Sequence, residues 1–231
     1  MLMAEHPDTA LRRQAHSWVE QRAIAKCSSA IVTNENAKTH YLEKYPYKNS
    51  ARIHVVENGY DEQLFEMAQT KQATRVSLEN QKALKIVHSG SLYPDHRDPT
   101  ALLRAIKNLE PNLNNAPRKV EILFRATGYD DYYEKLINEF DLHEYVKLGE
   151  PISYIDSIVE MLETDALLLI QGKSCNNQIP AKLYEYLRSG RPILGLTDPH
   201  GATARKMQGL DGVFLADNES EVEIETVLRQ L

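Results

Sequence analysis

The sequence is poor in the residues and patterns that mark several classes of protein. Its 231 residues include only two cysteines, Cys27 and Cys175, and neither lies in a CxxC or Cys/His pattern with the spacing of metal ligands. No apolar run approaches the roughly 20 residues that cross a bilayer, and the first residues lack the basic end and apolar stretch of a signal peptide. We therefore expect a soluble, cytoplasmic protein with two free thiols and no transmembrane segment.

Positive charge is also scarce. The chain has 27 Lys and Arg against 33 Asp and Glu, a formal net charge of −6, and it contains no block of five basic residues. This balance argues against a nucleic-acid partner, so any bound anion must be held by a few local groups. Asp-x-Asp and other cation-binding loop motifs are missing as well, and the sequence predicts no metal site. The remaining composition, 42% hydrophobic and 26% charged, is that of an ordinary globular protein.

The length corresponds to about one and a half domains at roughly 150 residues each. Residues 67–82 are polar and have no sustained hydrophobic period, which predicts a linker between residues 1–66 and 83–231. The first region has too few elements to bury a core alone, so it should extend a neighbouring sheet or belong to something larger. Its predicted elements are a helix over 9–25 with Asp8 as N-cap, a strand at 30–32, a helix around 35–44 and a strand at 53–56.

After residue 82, short apolar runs mostly alternate with helix-like stretches. Strands separated by helices need crossover connections, so we expect a Rossmann-like α/β domain with a parallel sheet and helices on both faces. Residues 166–170 are apolar at every position, as in a central strand. Ligands of such sheets bind at the carboxyl ends of the strands. The runs lie at 84–88, 120–124, 145–148, 165–170, 192–196 and 212–215.

The loop after the first of these strands has features of a phosphate site. Asp98 suits an N-cap and Pro99 a first helical residue, so free amides at the helix start should face the same crevice as Arg97. Amides and a guanidinium together bind phosphate oxygens. The alternative is a capped helix with an exposed arginine. After the second strand, Gly128 serves either a tight turn or the close approach of a ligand.

The segment after the 165–170 strand carries the strongest signal. Pro180 and Gly190 delimit a predicted helix, on which Lys182 and Glu185 lie three residues apart. A carboxylate at the crevice end of such a helix can accept both hydroxyls of a ribose, and the ammonium can neutralise phosphate. The alternative is a surface ion pair that contributes under about 1 kcal/mol.

Two further features leave alternatives open. His200 follows the fifth strand, and it is either a general base or, in the absence of a partner at a known spacing, an exposed loop histidine. The acidic series near the end of the chain predicts a solvated helix surface. Its members are Glu219, Glu221, Glu223 and Glu225.

Taken together, these segments resemble the GT-B fold and, within it, the retaining glycosyltransferase family 4. The order and spacing of the matching motifs hold over nearly the whole chain. The motifs are IHVVENGYD at 53–61 with Phe65, GSLYP at 90–94 followed by Arg97, Gly128, VKLG at 146–149, and PAKLYEYL at 180–187 with GRP at 190–192.

The resemblance implies a nucleotide-diphosphate sugar as donor substrate, with UDP favoured by family frequency, and no cofactor. It implies that Glu185 binds the ribose and that Arg97 and Lys182 stabilise the donor diphosphate as the catalytic cations. Backbone between Glu150 and Ile152 would meet the base. The loops after the strands would contribute further donor contacts at Gly90, Ser91, Gly128, Asn177 and Gly201.

Two positions depart from the family pattern. Ser91 stands where the family usually has an arginine, and Asn177 stands where it has the first glutamate of an E-x7-E pair. An amide can hydrogen-bond sugar hydroxyls, but it supplies no charge to an oxocarbenium-like transition state. These departures leave open a non-catalytic nucleotide-sugar-binding subunit or half of a split enzyme, and less favourably a sugar-nucleotide epimerase.

In the family the acceptor domain precedes the donor domain. Residues 1–66 resemble the last two strand–helix units of an acceptor domain, and 83–231 resemble the donor domain. We therefore expect a retaining, metal-independent transferase of polysaccharide biosynthesis, which acts on a carbohydrate or lipid-linked acceptor and lacks most of its N-terminal acceptor domain in this chain. A membrane-peripheral position of the complete enzyme stays open.

Overall fold

A computed structural model describes residues 10–46, 52–74, 83–113 and 118–231. Helices and strands alternate through most of this range, and a short 3-10 turn lies at Lys173–Cys175. The strands are β1 (Ala30–Val32), β2 (Ile53–Val55), β3 (Ala83–Ser89), β4 (Lys119–Arg125), β5 (Val146–Gly149), β6 (Ala166–Gln171), β7 (Ile193–Thr197) and β8 (Val213–Ala216). The helices are α1 (Ala10–Lys26), α2 (Glu35–Lys44), α3 (Glu62–Thr74), α4 (Thr100–Leu113), α5 (Asp130–Phe140), α6 (Tyr154–Glu163), α7 (Lys182–Ser189), α8 (Ala202–Met207) and α9 (Glu221–Leu228).

Six strands form one parallel sheet in the order β5-β4-β3-β6-β7-β8. The chain runs outward from β3 to β5, returns to β6 beside β3, and continues to β8 at the other edge. Because all pairs are parallel, the loops that follow β3, β4, β6 and β7 meet at one edge of the sheet. The predicted Rossmann-like α/β architecture is confirmed.

Strand β6 shows how the sheet buries both of its faces. Leu168 and Ile170 belong to the core formed with α4, α5 and α9, whereas Leu167 and Leu169 belong to the core formed with α7 and α8. Every residue of β6 is buried. The continuous apolar run in the sequence is therefore explained by two cores on opposite faces.

Strands β1 and β2 form a second, separate parallel sheet with its own small core. That core contains Val32, Ala37 and Ile53, all at most 8% exposed. The two predicted strands of the first region are thus present, but they do not extend the six-stranded sheet. Helix α1 begins at the first described residue, so the predicted N-cap at Asp8 lies outside the described residues.

The segment expected to be a linker is partly helical. Residues 67–74 complete α3, which packs through Phe65 and Ala68 against Ile158 and Val159 of α6. The hydrophobic pattern did not predict this helix, because the helix buries only two of its own residues completely. Residues 75–82 lie outside the described part of the chain, and the division at this point stays a prediction.

The acidic series lies at the surface and makes contacts with neighbouring elements there. Helix α9 packs against α4, where Arg104 binds Glu221 at 3.4 Å and Asn108 donates to Glu225 at 2.9 Å. Glu219 pairs with Lys173, and Glu223 accepts the backbone N–H of Asp217. The acids therefore lie at the surface as expected, and the charge pattern alone could not show which neighbours they contact.

The state of the two cysteines and the length of the helices bear on two other expectations. Cys27 and Cys175 are not joined in a disulfide. No helix within the described ranges is both long and apolar enough to cross a bilayer.

Candidate functional site

The loop after β3 folds back on itself around Arg97. The Arg97 Nη1 donates to the carbonyl oxygen of Ser91 at 2.9 Å, and its guanidinium lies 5.5 Å from the ring centroid of Tyr93. Gly90 has a φ of 101°, a conformation that favours glycine. The loop thus holds one cation close to the carboxyl end of β3.

Lys182, in the first turn of α7, brings a second cation to the same loop. Its Nζ donates to the carbonyl oxygen of Ser89 at 2.6 Å and lies 3.3 Å from Nε2 of His88. A Cβ added at Gly90 would lie 3.3 Å from this Nζ. Glycine at residue 90 therefore leaves room for the amine beside the loop, and it also permits the turn of the backbone.

The surroundings of Lys182 disfavour its charged form. Burial, strengthened by the nearby charge of Arg97 and opposed by Glu185, lowers the pKa of Lys182 to about 7. Lys182 therefore lies within electrostatic range of both Arg97 and Glu185. The alternative of a surface Lys182–Glu185 ion pair does not describe these two residues, because the lysine binds a backbone carbonyl and the glutamate binds a tyrosine.

Glu185 lies on α7 facing the start of α6. Its Oε1 accepts a hydrogen bond from the hydroxyl of Tyr154, and burial together with this contact raises the pKa of Tyr154 to about 12. Tyr154 follows the segment between Glu150 and Ile152, where Ile152 is 40% exposed and the Glu150 carbonyl accepts from Arg125 Nη1 at 2.9 Å. The segment predicted to meet the base is thus adjacent to the residue predicted to bind the ribose.

The loops after β6 and β7 are joined by one asparagine. Asn176 Nδ2 donates to Asp198 Oδ2 at 2.8 Å, and the Asn176 carbonyl accepts the N–H of Ala202 at 2.8 Å. Gly201 is buried against this residue, since an added Cβ would lie 3.0 Å from Asn176 Oδ1. Asn177 is exposed beside it. The structure therefore brings Asn177 and Gly201 to the same side of the site.

Some sequence expectations need correction at the helix starts. Asp98 does cap α4, but its Oδ1 accepts the N–H and the hydroxyl of Thr100, so that amide is not free for a phosphate. His200 is exposed, and its backbone N–H binds Asp198 Oδ1 at 2.8 Å, which fits the loop-histidine alternative.

The residues that follow β4 at this edge of the sheet stabilise the fold. Gly128 has a φ of 77° and no atom within 4 Å of an added Cβ, which supports the tight-turn alternative there. Arg125 forms a bidentate ion pair with Glu160, with N–O distances of 3.0 and 2.7 Å. Within the described ranges, no three His, Cys, Asp or Glu side chains gather in a way that could hold a metal ion.

No family model and no curated protein sequence matches this chain. Solved structures do match. WaaG, a glycosyltransferase involved in lipopolysaccharide biosynthesis, gives a TM-score of 0.69 at 15% identity over 96% of this chain and 58% of its own. Anabaena HepE in complex with UDP and glucose gives 0.67 at 17% identity over 94% and 57%. Sucrose-phosphate synthase of Thermosynechococcus elongatus gives 0.66 at 13% identity over 97% and 54%.

The likeness is one of fold. These neighbours are GT-B glycosyltransferases, and the GT-B architecture expected from the motifs is confirmed. The chain spans somewhat more than half the length of each of them. At identities of 17% or less, the comparison does not assign a family or a role to any residue.

Sequence reasoning missed three residues that the structure places at this edge. His88 is fully buried under Lys182, Tyr154 binds Glu185, and Asn34 donates through Nδ2 to the carbonyl of Asn177 at 3.0 Å. Only His88 left a local signal, since it is a polar residue directly after the apolar pair Ile86–Val87. The other two depend on contacts between elements that are distant in sequence.

Proposed function

We propose that this chain is the donor-binding part of a retaining glycosyltransferase that uses a nucleotide-diphosphate sugar. One observation carries the proposal: Arg97 and Lys182 approach the 89–91 loop from two different elements and place two cations at the carboxyl end of a parallel strand. Neither cation has a carboxylate among these contacts. A diphosphate would supply the missing negative charge.

Glu185 supports a nucleoside as the group attached to that diphosphate. Its carboxylate lies one helical turn from Lys182 and already accepts a hydroxyl, that of Tyr154. The two hydroxyls of a ribose would replace the Tyr154 hydroxyl as hydrogen-bond donors to Glu185. The exposed Ile152 nearby offers an apolar surface for the base, and the UDP and UDP-glucose bound to HepE make uridine the first base to test.

The proposed reaction breaks the bond between the anomeric carbon of the sugar and the diphosphate oxygen. An acceptor hydroxyl forms the new bond on the same face, and its proton passes to the departing diphosphate. Lys182 and Arg97 stabilise the negative charge that develops on the leaving oxygens, so electrostatic stabilisation provides most of the rate enhancement. No metal ion is required in this proposal, so EDTA should leave donor binding unchanged.

Calorimetric titration with UDP, GDP and ADP tests the donor site. Glu185→Ala should weaken binding of the preferred nucleotide at least tenfold, because hydrogen bonds to a charged group contribute about 1.5–3 kcal/mol. Glu221→Ala is the matched control: it also removes a helical glutamate, but one that pairs with Arg104 on α4. Failure of all three nucleotides at millimolar concentration would contradict the proposal.

A non-catalytic nucleotide-sugar-binding subunit is the second candidate, and Asn177 favours it. A neutral amide at this position cannot supply charge to an oxocarbenium-like transition state. The two candidates differ in transfer of radiolabelled sugar from the preferred nucleotide sugar to carbohydrate or lipid-linked acceptors. Binding without transfer in wild type, with transfer appearing in Asn177→Glu, would support the second candidate.

A further inference from the structure

His88 is held in one tautomer within the core. The residue has no exposed surface, and its Nδ1 lies 2.9 Å from the carbonyl oxygen of Leu168 on the neighbouring strand β6. A carbonyl oxygen only accepts hydrogen bonds, so Nδ1 carries the proton and Nε2 has a lone pair. The edge-on ring of Phe124, 6.4 Å away between centroids, packs against the imidazole. The lone pair therefore has a fixed direction.

That lone pair points to the amine of Lys182. The Nζ–Nε2 distance is 3.3 Å, and the same Nζ donates to the Ser89 carbonyl at 2.6 Å. Among the contacts of the described residues, these two acceptors take two of the three donors of an ammonium group. The third donor is left for a ligand beside Gly90, where a Cβ would lie only 3.3 Å from Nζ.

We propose that His88 is a positioning residue for Lys182: its Nε2 keeps the amine beneath the 89–91 loop and stabilises the protonated form that binds a phosphate. His88 does not touch the substrate, and it acts through the lysine. The inference rests on the proposed function only for the identity of the ligand as a diphosphate. The contact between the two side chains can be tested without any ligand.

The charges around the pair determine the expected pH dependence. Arg97 in the loop after β3 disfavours the ammonium, Glu185 on α7 favours it, and the Tyr186 hydroxyl accepts the N–H of Ser89 without binding the amine. Burial holds the pKa of His88 well below its ordinary value. His88 therefore stays neutral, with its lone pair available, over the range in which Lys182 titrates.

NMR titration of 13C-labelled lysine in the ligand-free protein provides the direct test, with the Lys182 resonance assigned by Lys182→Arg. His88→Leu removes the acceptor, and the midpoint of the Lys182 titration should fall by about one pH unit, a tenfold loss of proton affinity. His88→Gln supplies an amide oxygen of similar reach and should restore most of the midpoint. Tyr186→Phe removes a polar contact to the same loop, the hydroxyl that accepts the Ser89 N–H, and should leave the midpoint unchanged.

An unchanged midpoint in folded His88→Leu, or an equal shift in Tyr186→Phe, would overturn the inference. If the leucine variant does not fold, His88→Asn replaces it, because asparagine is too short to reach the amine. A second measurement titrates UDP at several pH values: affinity in wild type should fall as the pH rises through about 7, and in the histidine variant the fall should begin at lower pH. Wild-type protein that binds no nucleotide would contradict the proposed function, while the lysine titration would still decide the role of His88.

Discussion

At the scale of single residues, Lys182, which we propose as a ligand of the diphosphate, lowers the stability of the fold. The pKa of this lysine is about 7 in the folded protein against 10.5 for the free side chain. The unfolded chain therefore binds more protons than the folded protein between these values, and the free energy of unfolding rises with pH over that interval. The cost is fully present below about pH 7 and is lost as the pH approaches the value of the free side chain.

Replacing the lysine with an apolar residue should separate stability from binding. Lys182→Met should raise the free energy of unfolding at pH 7 by about 1–2 kcal/mol, because the buried charge is removed while the lost contacts of the amine offset part of the gain. The gain should shrink when urea denaturation is repeated at pH 9.5. Nucleotide affinity should fall at least tenfold.

The exposed Lys135→Met is the control, and it should change neither quantity. A Lys182→Met variant that is less stable than wild type at pH 7 would show that the contacts of the amine to Ser89 and His88 outweigh its desolvation.

Sequence reasoning named the charged residues of the candidate site but not the residues that contact them. Spacing and resemblance indicated Arg97, Lys182 and Glu185, since each lies in a loop after a strand or in the first turn of a helix at the carboxyl edge of the sheet. His88 and Tyr154 could not be found in the same way. The polar character of His88 does not show that its side chain turns inward to a lysine, and the partner of Tyr154 is 31 residues away.

At the scale of secondary structure elements, the loops after β3 and β6 support each other through backbone contact. The N–H of Gly172 donates to the carbonyl oxygen of His96 at 2.7 Å, and a Cβ on Gly172 would lie 2.8 Å from that oxygen. Because the obstructing atom belongs to the backbone, it cannot move without its loop. The hydrogen bond therefore holds the loop that carries Arg97, and it can form only because residue 172 has no side chain.

A single methyl group should disturb this arrangement. Gly172→Ala should lower the free energy of unfolding by about 1–3 kcal/mol through overpacking, and it should weaken nucleotide binding because Arg97 follows His96 directly. Thermal unfolding and calorimetry measure the two effects. Gly59→Ala is the matched control, since an added Cβ there has no atom within 4 Å. Equal stability of the two variants would show that the His96 loop adapts freely.

The helix that the sequence missed has a physical explanation. Helix α3 extends through residues 67–74 because Phe65 and Ala68 pack on α6, although its own hydrophobic pattern is weak. Local pattern predicts an element when its own apolar face is strong, as in β6, and fails when a neighbouring element supplies the packing.

At the scale of the whole molecule, a small set of polar contacts joins two parts of the chain. One part is the six-stranded domain, and the other contains β1, α2, β2 and the start of α3 and is called the β1–β2 unit. Asn34 and Asn58, each located after one of the two short strands, donate to the carbonyls of Asn177 and Ile179 at 3.0 and 3.3 Å. Ion pairs join Lys206 to Glu57 and Arg188 to Glu62. The partners are more than 100 residues apart in sequence, so no local pattern could have predicted them.

The hydrogen bond from Asn34 to Asn177 can be removed while Asn34 keeps its role as the cap of α2. Its Oδ1 caps α2 by accepting the N–H of Ala37 at 2.8 Å, while its Nδ2 binds the Asn177 carbonyl. Asn34→Asp keeps the cap but turns the donor into a carboxylate oxygen that repels the carbonyl. Because the 176–181 loop leads into Lys182, its backbone should open more often in this variant.

Hydrogen exchange measures that opening. In Asn34→Asp, the amides of Gln178 and Leu183 should exchange about fivefold faster, as expected for the loss of one hydrogen bond of about 1 kcal/mol, while α2 keeps its protection. Asn34→Ala should increase exchange in both places, since it also removes the cap. Asn108→Asp, on the α4–α9 side, should leave the loop unchanged. Unaltered exchange at Gln178 in Asn34→Asp would mean that the six-stranded domain holds the loop by itself, and that the β1–β2 unit does not support the residues around Lys182.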